Sequence, residues 1–430
     1  MPTLTQSVDQ AQPTFTRPIT GAPRDFAYLD GLRALSMIGV LLFHVRTFLL
    51  IPPLDGLAPA PLIWGSFWCE PVGYGMSCLI IISGYGSMLS AMRPGKEKLS
   101  AGVAYLLRRA RRLLIPYYIV LAVCLALLAI TPKQYLAIAS YGGAAYQAFS
   151  PLTIVSHIFL FHNFIPSAYY AINPILWSIA PIFQVYVIFA FLLLPLYRYL
   201  GIRWTVVIAT LIGYLPLPGH PYMGDIRPYY IAFFAWAMGA VLLERDGSTE
   251  LESRRISNLS GGLSLFFFST FLAVWVYDLM YLKNQLTFIK PALNQIMLYE
   301  TLTGLGSVFL LIYLGNRIQS ATKSAISNIL SHRSLKPLAL IAYSLLLTHY
   351  PVLAAVRVLT RVTHMNSWGT LITMFVVGVG ASFFVAWIFY LAVESNFLSR
   401  RLAAVKAQTD PTPSPLEDHA FNRAANSQLG

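Results

Sequence analysis

Residues 28–51 read YLDGLRALSMIGVLLFHVRTFLLI, and this stretch decides the fold. Crossing a bilayer takes about 20 mostly apolar residues, and the stretch is long enough. Yet it keeps Asp30, Arg33, His44 and Arg46 among its leucines and valines. Ionisable side chains are costly in hydrocarbon, so those that occur there face a protein interior or a watery cavity. The stretch therefore reads as a membrane helix with a functional polar face. Its place near the N-terminus suggests a secretory leader, but the internal charges and the long preceding segment favour an uncleaved span.

The rest of the chain needs the same solvent. Of 430 residues, 57% are hydrophobic and 11% charged, and mean hydropathy is +0.62. An ordinary soluble domain carries roughly a quarter charged residues. Further apolar stretches lie at about 71–92, 110–131, 174–197, 203–219, 229–244, 261–281, 296–315, 337–357 and 369–393, making ten spans with the first. One more, 152–165, lies between Pro151 and Pro166, carries His157 and His162, and is short for a crossing.

The 30 Lys+Arg against 17 Asp+Glu give a net charge of +13. In a soluble protein that balance suggests nucleic acid, but here cytoplasmic loops that hold membrane helices in register explain it, and no nucleic-acid partner is expected. With ten spans and a cytoplasmic N-terminus, 22 basic residues fall inside and 6 outside. Were 152–165 to cross, half of the chain would break this rule, so it reads as an outer interfacial or re-entrant segment. The expected architecture is all-α and polytopic: a transmembrane domain over 28–402 in the inner (cytoplasmic) membrane. Disordered tails at 1–27 and 403–430 both lie in the cytoplasm. Cys69, Cys78 and Cys124 have no metal-ligand spacing and imply neither a disulfide framework nor a metal site.

Within the spans, Arg33 and His44 are eleven residues apart, about 16 Å of rise and nearly three full turns, so they share a face. Arg33 stands where a phosphate or carboxylate at the inner surface would meet it. His44 suits a general base, or a hydrogen bond between packed helices. His349, in the ninth span, falls at about the depth of His44, which suggests one polar cavity. The fourth span adds Trp177, Ser178, Gln184 and Tyr186. Before the third stand Arg108, Arg109, Arg111 and Arg112. Such a run is either stop-transfer charge or a set of guanidinium forks for the phosphates of a donor such as acyl-CoA.

Taken together these residues resemble the acyltransferase 3 family of integral membrane acyltransferases over about 27–402. Leu29 through His44, including Asp30, is similar to the family's opening motif, with ten residues between its arginine and its histidine. Ile82-Ser83-Gly84-Tyr85 resembles its second-span signature, and Arg109 and Arg112 before Pro116 resemble its arginine pair. His162-Asn163-Phe164 followed by Leu176-Trp177-Ser178 resembles the approach to its fourth span. Tyr343-Ser344 to His349-Tyr350-Pro351 resembles its late segment, and Val393-Glu394 to Arg401 its closing one. Two family carboxylates are replaced by Ile182 and Phe183, while Gln184 and Tyr186 remain, and an aspartate is replaced by Ser77.

The resemblance implies an O-acyltransferase with no resident cofactor. It would move an acyl group, acetyl first among them, from cytoplasmic acyl-CoA to a hydroxyl of a surface glycan or glycolipid. His44 and Arg33 would then be catalytic, with Arg108, Arg109, Arg111 and Arg112 binding the donor. Asp30, Ser83, Trp177, Gln184, Tyr186, Tyr343, His349 and Glu394 would support them, Glu394 pairing with Arg33 or an arginine of the run. Two other readings stay open: a proton-coupled transporter or flippase, and an inactive member of a polysaccharide-export complex. The partners expected are membrane lipid, acyl-CoA and the acceptor; the oligomeric state is left open.

Overall fold

The computed structural model describes residues 26–50, 59–92, 99–132, 135, 149–215, 227–246, 250–281, 293–319 and 324–396. The expected tails lie outside the described residues, residues 26 and 27 apart. Among the described residues the regular elements are all helical. They are α1 (Ala27–Leu50), α2 (Ala60–Ser66), α3 (Cys69–Ala91), α4 (Leu99–Ile130), α5 (Pro151–Ile158), α6 (Pro174–Tyr214) and α7 (Tyr230–Asp246). There follow α8 (Glu250–Tyr281), α9 (Leu293–Gln319), α10 (Ala325–Leu330), α11 (Leu335–Leu340), α12 (Ala342–Val362) and α13 (Ser367–Glu394).

Eight of these are long and apolar enough to cross a membrane, so the protein is an all-α polytopic membrane protein. Two expected spans, 174–197 and 203–219, form the single 41-residue stretch α6. It breaks at Gly201, whose φ of 79° and ψ of 172° are open to glycine and strained for other residues. α7 is a shorter apolar helix. The expected ninth span is divided at Ile341 into α11 and α12.

α1 is the hub. It packs against α2, α3, α10, α11 and α12, and 56% of its apolar window is buried, against 22% for α8 and for α13, which leave most of their surface to lipid. Two signature glycines allow this packing. A Cβ on Gly31 would lie 1.9 Å from the Leu330 carbonyl oxygen, and one on Gly84 would lie 3.1 Å from the Phe234 Cα, so α10 and α7 approach as closely as backbones permit.

Segment 151–165 folds back on itself and forms no spanning helix. α5 has eight residues, about 12 Å and too short to span. The Tyr117 and Tyr118 hydroxyls of α4 donate to the His157 and Ile158 carbonyls at 2.9 and 2.7 Å. These tyrosines sit twelve and thirteen residues before the end of α4, so the tip reaches about 18 Å along that helix. The chain turns at Leu160 (φ 59°) and returns through a short 3-10 turn, His162–Phe164. Irregular backbone at such depth is stable only when protein covers it. Here Gln184 donates to the Leu160 carbonyl at 2.8 Å and exchanges hydrogen bonds with Asn163 at 2.9 and 3.1 Å.

Candidate functional site

The arginine run lies within the first half of α4, from its tenth residue, and divides by face. Arg109 is half-buried, its guanidinium 5.6 Å from the Tyr105 ring centre and 5.4 Å from that of Tyr186. Arg108, Arg111 and Arg112 are exposed, and Arg111 shares its face with the exposed Leu107, Ile115 and Tyr118. Among the described residues no carboxylate pairs with any of the four. Arg112 does act electrostatically on Arg33 and on Glu394, which draws α1, α4 and α13 to one end of the bundle. There Arg33 Nη1 donates to Asp30 Oδ1 at 2.7 Å, both side chains being more than a third exposed.

Glu394 is 3% exposed, and the Ser344 hydroxyl donates to its Oε1 at 2.6 Å. The expected ion pair with an arginine is therefore replaced by a hydrogen bond, with Arg112 contributing at longer range. A π-helical turn over Tyr390–Glu394 sets the position of this carboxylate; such insertions recur at functional sites. Tyr343, one residue before Ser344, donates to the Leu113 carbonyl at 2.7 Å and ties the start of α12 to α4.

Deeper in the bundle, α1 and α12 bring two imidazoles together. The ring centres of His44 and His349 are 5.0 Å apart, and Tyr350 lies 5.9 Å from His44. His44 is half-buried and His349 fully buried. Each ring places Nδ1 2.7 Å from a carbonyl oxygen four residues earlier, Val40 for His44 and Leu345 for His349. The His349 Nε2 is buried with no hydrogen-bond partner among the described residues.

Other expected site residues stand apart. Gln184 is engaged in holding the re-entrant hairpin. Trp177 is covered on its faces, with the Tyr169 ring stacked 5.8 Å away and the Arg227 guanidinium 4.0 Å from its centre. It presents no open platform for a sugar. Ser83 offers its carbonyl to Ser87, whose hydroxyl lies 2.6 Å from that of Tyr105 beside Arg109. Ile182 is buried and Phe183 half-buried, so α6 is apolar at these two positions.

Sequence reasoning missed three polar clusters. Tyr85 donates to Glu244 at 2.6 Å and lies 3.2 Å from the Tyr28 hydroxyl, linking α1, α3 and α7. Arg227 pairs with Glu300, which also accepts from Tyr229 at 2.9 Å. Arg46 pairs with Glu70 at 3.0 Å. The signal was available for Glu244 and Glu300, since each is an acid within an apolar stretch. The three cysteines are free, Cys69 and Cys124 buried and Cys78 half-buried, and no group of three metal-ligating side chains occurs among the described residues.

A polytopic helical bundle with guanidinium groups at one end and paired imidazoles inside defines a helical membrane protein with a polar interior. Its class follows from comparison: a family model described as an acyltransferase domain matches residues 26–391. The chain belongs to that family, the acyltransferase 3 membrane acyltransferases. No curated protein and no solved structure matches it.

Proposed function

We propose that the protein transfers an acyl group, acetyl first among candidates, from acyl-CoA to a hydroxyl of a glycan or glycolipid. The observation that carries this reading is the alignment, on α1, of Arg33 beside Arg112 with His44 eleven residues further along. Acyl-CoA has the same layout: phosphates at one end, then a flexible pantetheine arm, then the thioester. Arg109 and Arg112 would hold the phosphates, for which planar forks suit the oxygens bidentately. The arginine end would face the cytoplasm, where acyl-CoA is made and where the charge bias places it, with the bundle in the cytoplasmic membrane and the acceptor arriving from the far side.

The chemistry needs one base and one cation. His44 Nε2 takes the proton of the acceptor hydroxyl while the oxygen attacks the thioester carbonyl. The carbon–sulfur bond breaks, and the imidazolium returns its proton to the departing thiolate, giving an ester and free CoA thiol. Arg33 would hold a donor phosphate or steady the negative charge that develops. Asp30 orients the Arg33 guanidinium, while Tyr105 and Tyr186 supply the faces on which Arg109 rests.

The test uses purified protein in nanodiscs with acetyl-CoA, read by release of free thiol, together with mass spectrometry of surface glycans and lipids from a deletion strain. The expected results are thiol release that His44→Ala abolishes, and one missing acyl mass. No release from acetyl-CoA together with an unchanged glycan profile overturns the reading in favour of transport or a scaffolding role.

A further inference from the structure

We propose that His349 shares the proton of His44, so that the base of this site is a pair of imidazoles. This rests on the acyl-transfer reading above and adds a residue to its chemistry.

The tautomers follow from geometry. A carbonyl oxygen only accepts hydrogen bonds, so an imidazole nitrogen 2.7 Å from one must carry hydrogen. In both rings that nitrogen is Nδ1, and in the neutral ring Nε2 is then left with its lone pair. The helix backbone fixes this assignment twice, once on α1 through Val40 and once on α12 through Leu345. The ring centres are 5.0 Å apart with no hydrogen bond between their nitrogens, a separation that a proton crosses through one bridging water. A buried acceptor with no donor is costly, and the His349 Nε2 is such an acceptor. It gains a donor when a bridging water relays the proton of a His44 imidazolium to it.

Other charged groups near α12 are engaged elsewhere. On α1, Arg33 pairs with Asp30 and Arg46 with Glu70. On α13, Glu394 accepts from Ser344. On α4, Tyr117 donates to the His157 carbonyl, and Lys336 of α11 belongs to the helix that precedes Ile341. His44 is the titratable group that acts electrostatically on His349. Ile182 and Phe183 supply no carboxylate.

The step balances. The acceptor O–H proton moves to His44 Nε2 and is held between the two Nε2 atoms while the ester bond forms and the carbon–sulfur bond breaks. It then passes to the thiolate, and both rings end neutral.

The experiment compares wild type, His44→Ala, His349→Asn and His349→Gln in nanodiscs with acetyl-CoA. Asn keeps an N–H for the Leu345 carbonyl and removes Nε2; Gln puts a polar group near Nε2 that holds no proton. Both His349 variants should keep KM for acetyl-CoA, lose about tenfold or more in kcat, and replace a two-step pH profile of kcat by a single ionisation. A His349→Asn profile superimposable on wild type, or a loss that tracks the folded fraction measured by size-exclusion chromatography, overturns the proposal. If His44→Ala is silent while His349→Asn is unchanged, the sharing fails and acyl transfer by His44 stands. If His44→Ala is fully active, the base assignment fails and the pair fails with it.

Discussion

The two ends of the bundle treat positive charge in opposite ways. At the end with Glu70 and Glu300, two buried arginines have a carboxylate: Arg46 meets Glu70 at 3.0 Å, and Arg227 meets Glu300 while lying over Trp177, whereas the buried Arg357 of α12 donates to the Thr360 hydroxyl. At the other end Arg109 rests on tyrosine faces, while Arg108, Arg111 and Arg112 are exposed, without an acid in ion-pair range among the described residues. A cation that serves the fold is neutralised where it is buried, because an uncompensated buried charge costs several kcal/mol. A cation that serves a ligand is left for the ligand to neutralise. Under the acyl-transfer proposal, this difference is what distinguishes arginines that hold the fold from those assigned to the donor.

The comparison can be broken by substitution. The largest effect belongs to neither end: His44→Ala should lower acetyl transfer by about 100-fold or more, read as thiol release, with the melting temperature in detergent near that of wild type. Next, Arg227→Gln leaves Glu300 buried and unpaired and should cost about 3–5 kcal/mol, seen as lower thermal stability and yield. Replacing both partners, Arg227→Met with Glu300→Leu, should recover most of that loss. If Arg227→Gln melts like wild type, the structural role assigned to that end is wrong.

Arg109→Gln should do the reverse. Loss of one charge-assisted contact to phosphate raises KM for acyl-CoA by about tenfold or more, with little change in melting temperature. The increase should shrink for an acyl-pantetheine donor that lacks the nucleotide phosphates. A normal KM with a large stability loss would move Arg109 to the structural class. The smallest effect is expected for Asp30→Asn, whose exposed pair with Arg33 contributes within about 1 kcal/mol. Its melting temperature should stay within a degree or two, while raised salt weakens acyl-CoA binding in the wild type more than it changes stability.

Much of the site could be read along single helices. Arg33 and His44 share α1 at helical spacing, and Arg109 and Arg112 share α4, so periodicity alone put each pair on one side. The meeting of His44 with His349 was legible as common depth, since rise per residue is nearly constant, although the break at Ile341 means that the ninth span begins five residues later than its hydropathy suggests. What could not be read was rotation and partnering across long separations. Gln184 looked like a member of the reacting centre and instead holds Leu160 and Asn163 of the hairpin. Trp177 was expected to support the site and is sandwiched between Tyr169 and Arg227. Glu394 found a serine where an arginine was expected, because the π-helical turn changes its bearing by one residue.

The ten expected spans became eight span-length helices among the described residues, while by itself the sequence determined that the chain is a polytopic membrane protein and which basic run gathers at one end. These follow from composition and from charge, which act through the solvent and need no neighbour. Only the tertiary structure decided that 151–165 turns back inside the bundle, that Tyr85 meets Glu244 across 159 positions, and that two imidazoles face each other with their Nδ1 atoms tied down. Those outcomes depend on which face of each helix packs inward, and packing between distant segments is set by shape and hydrogen bonding that no local pattern records.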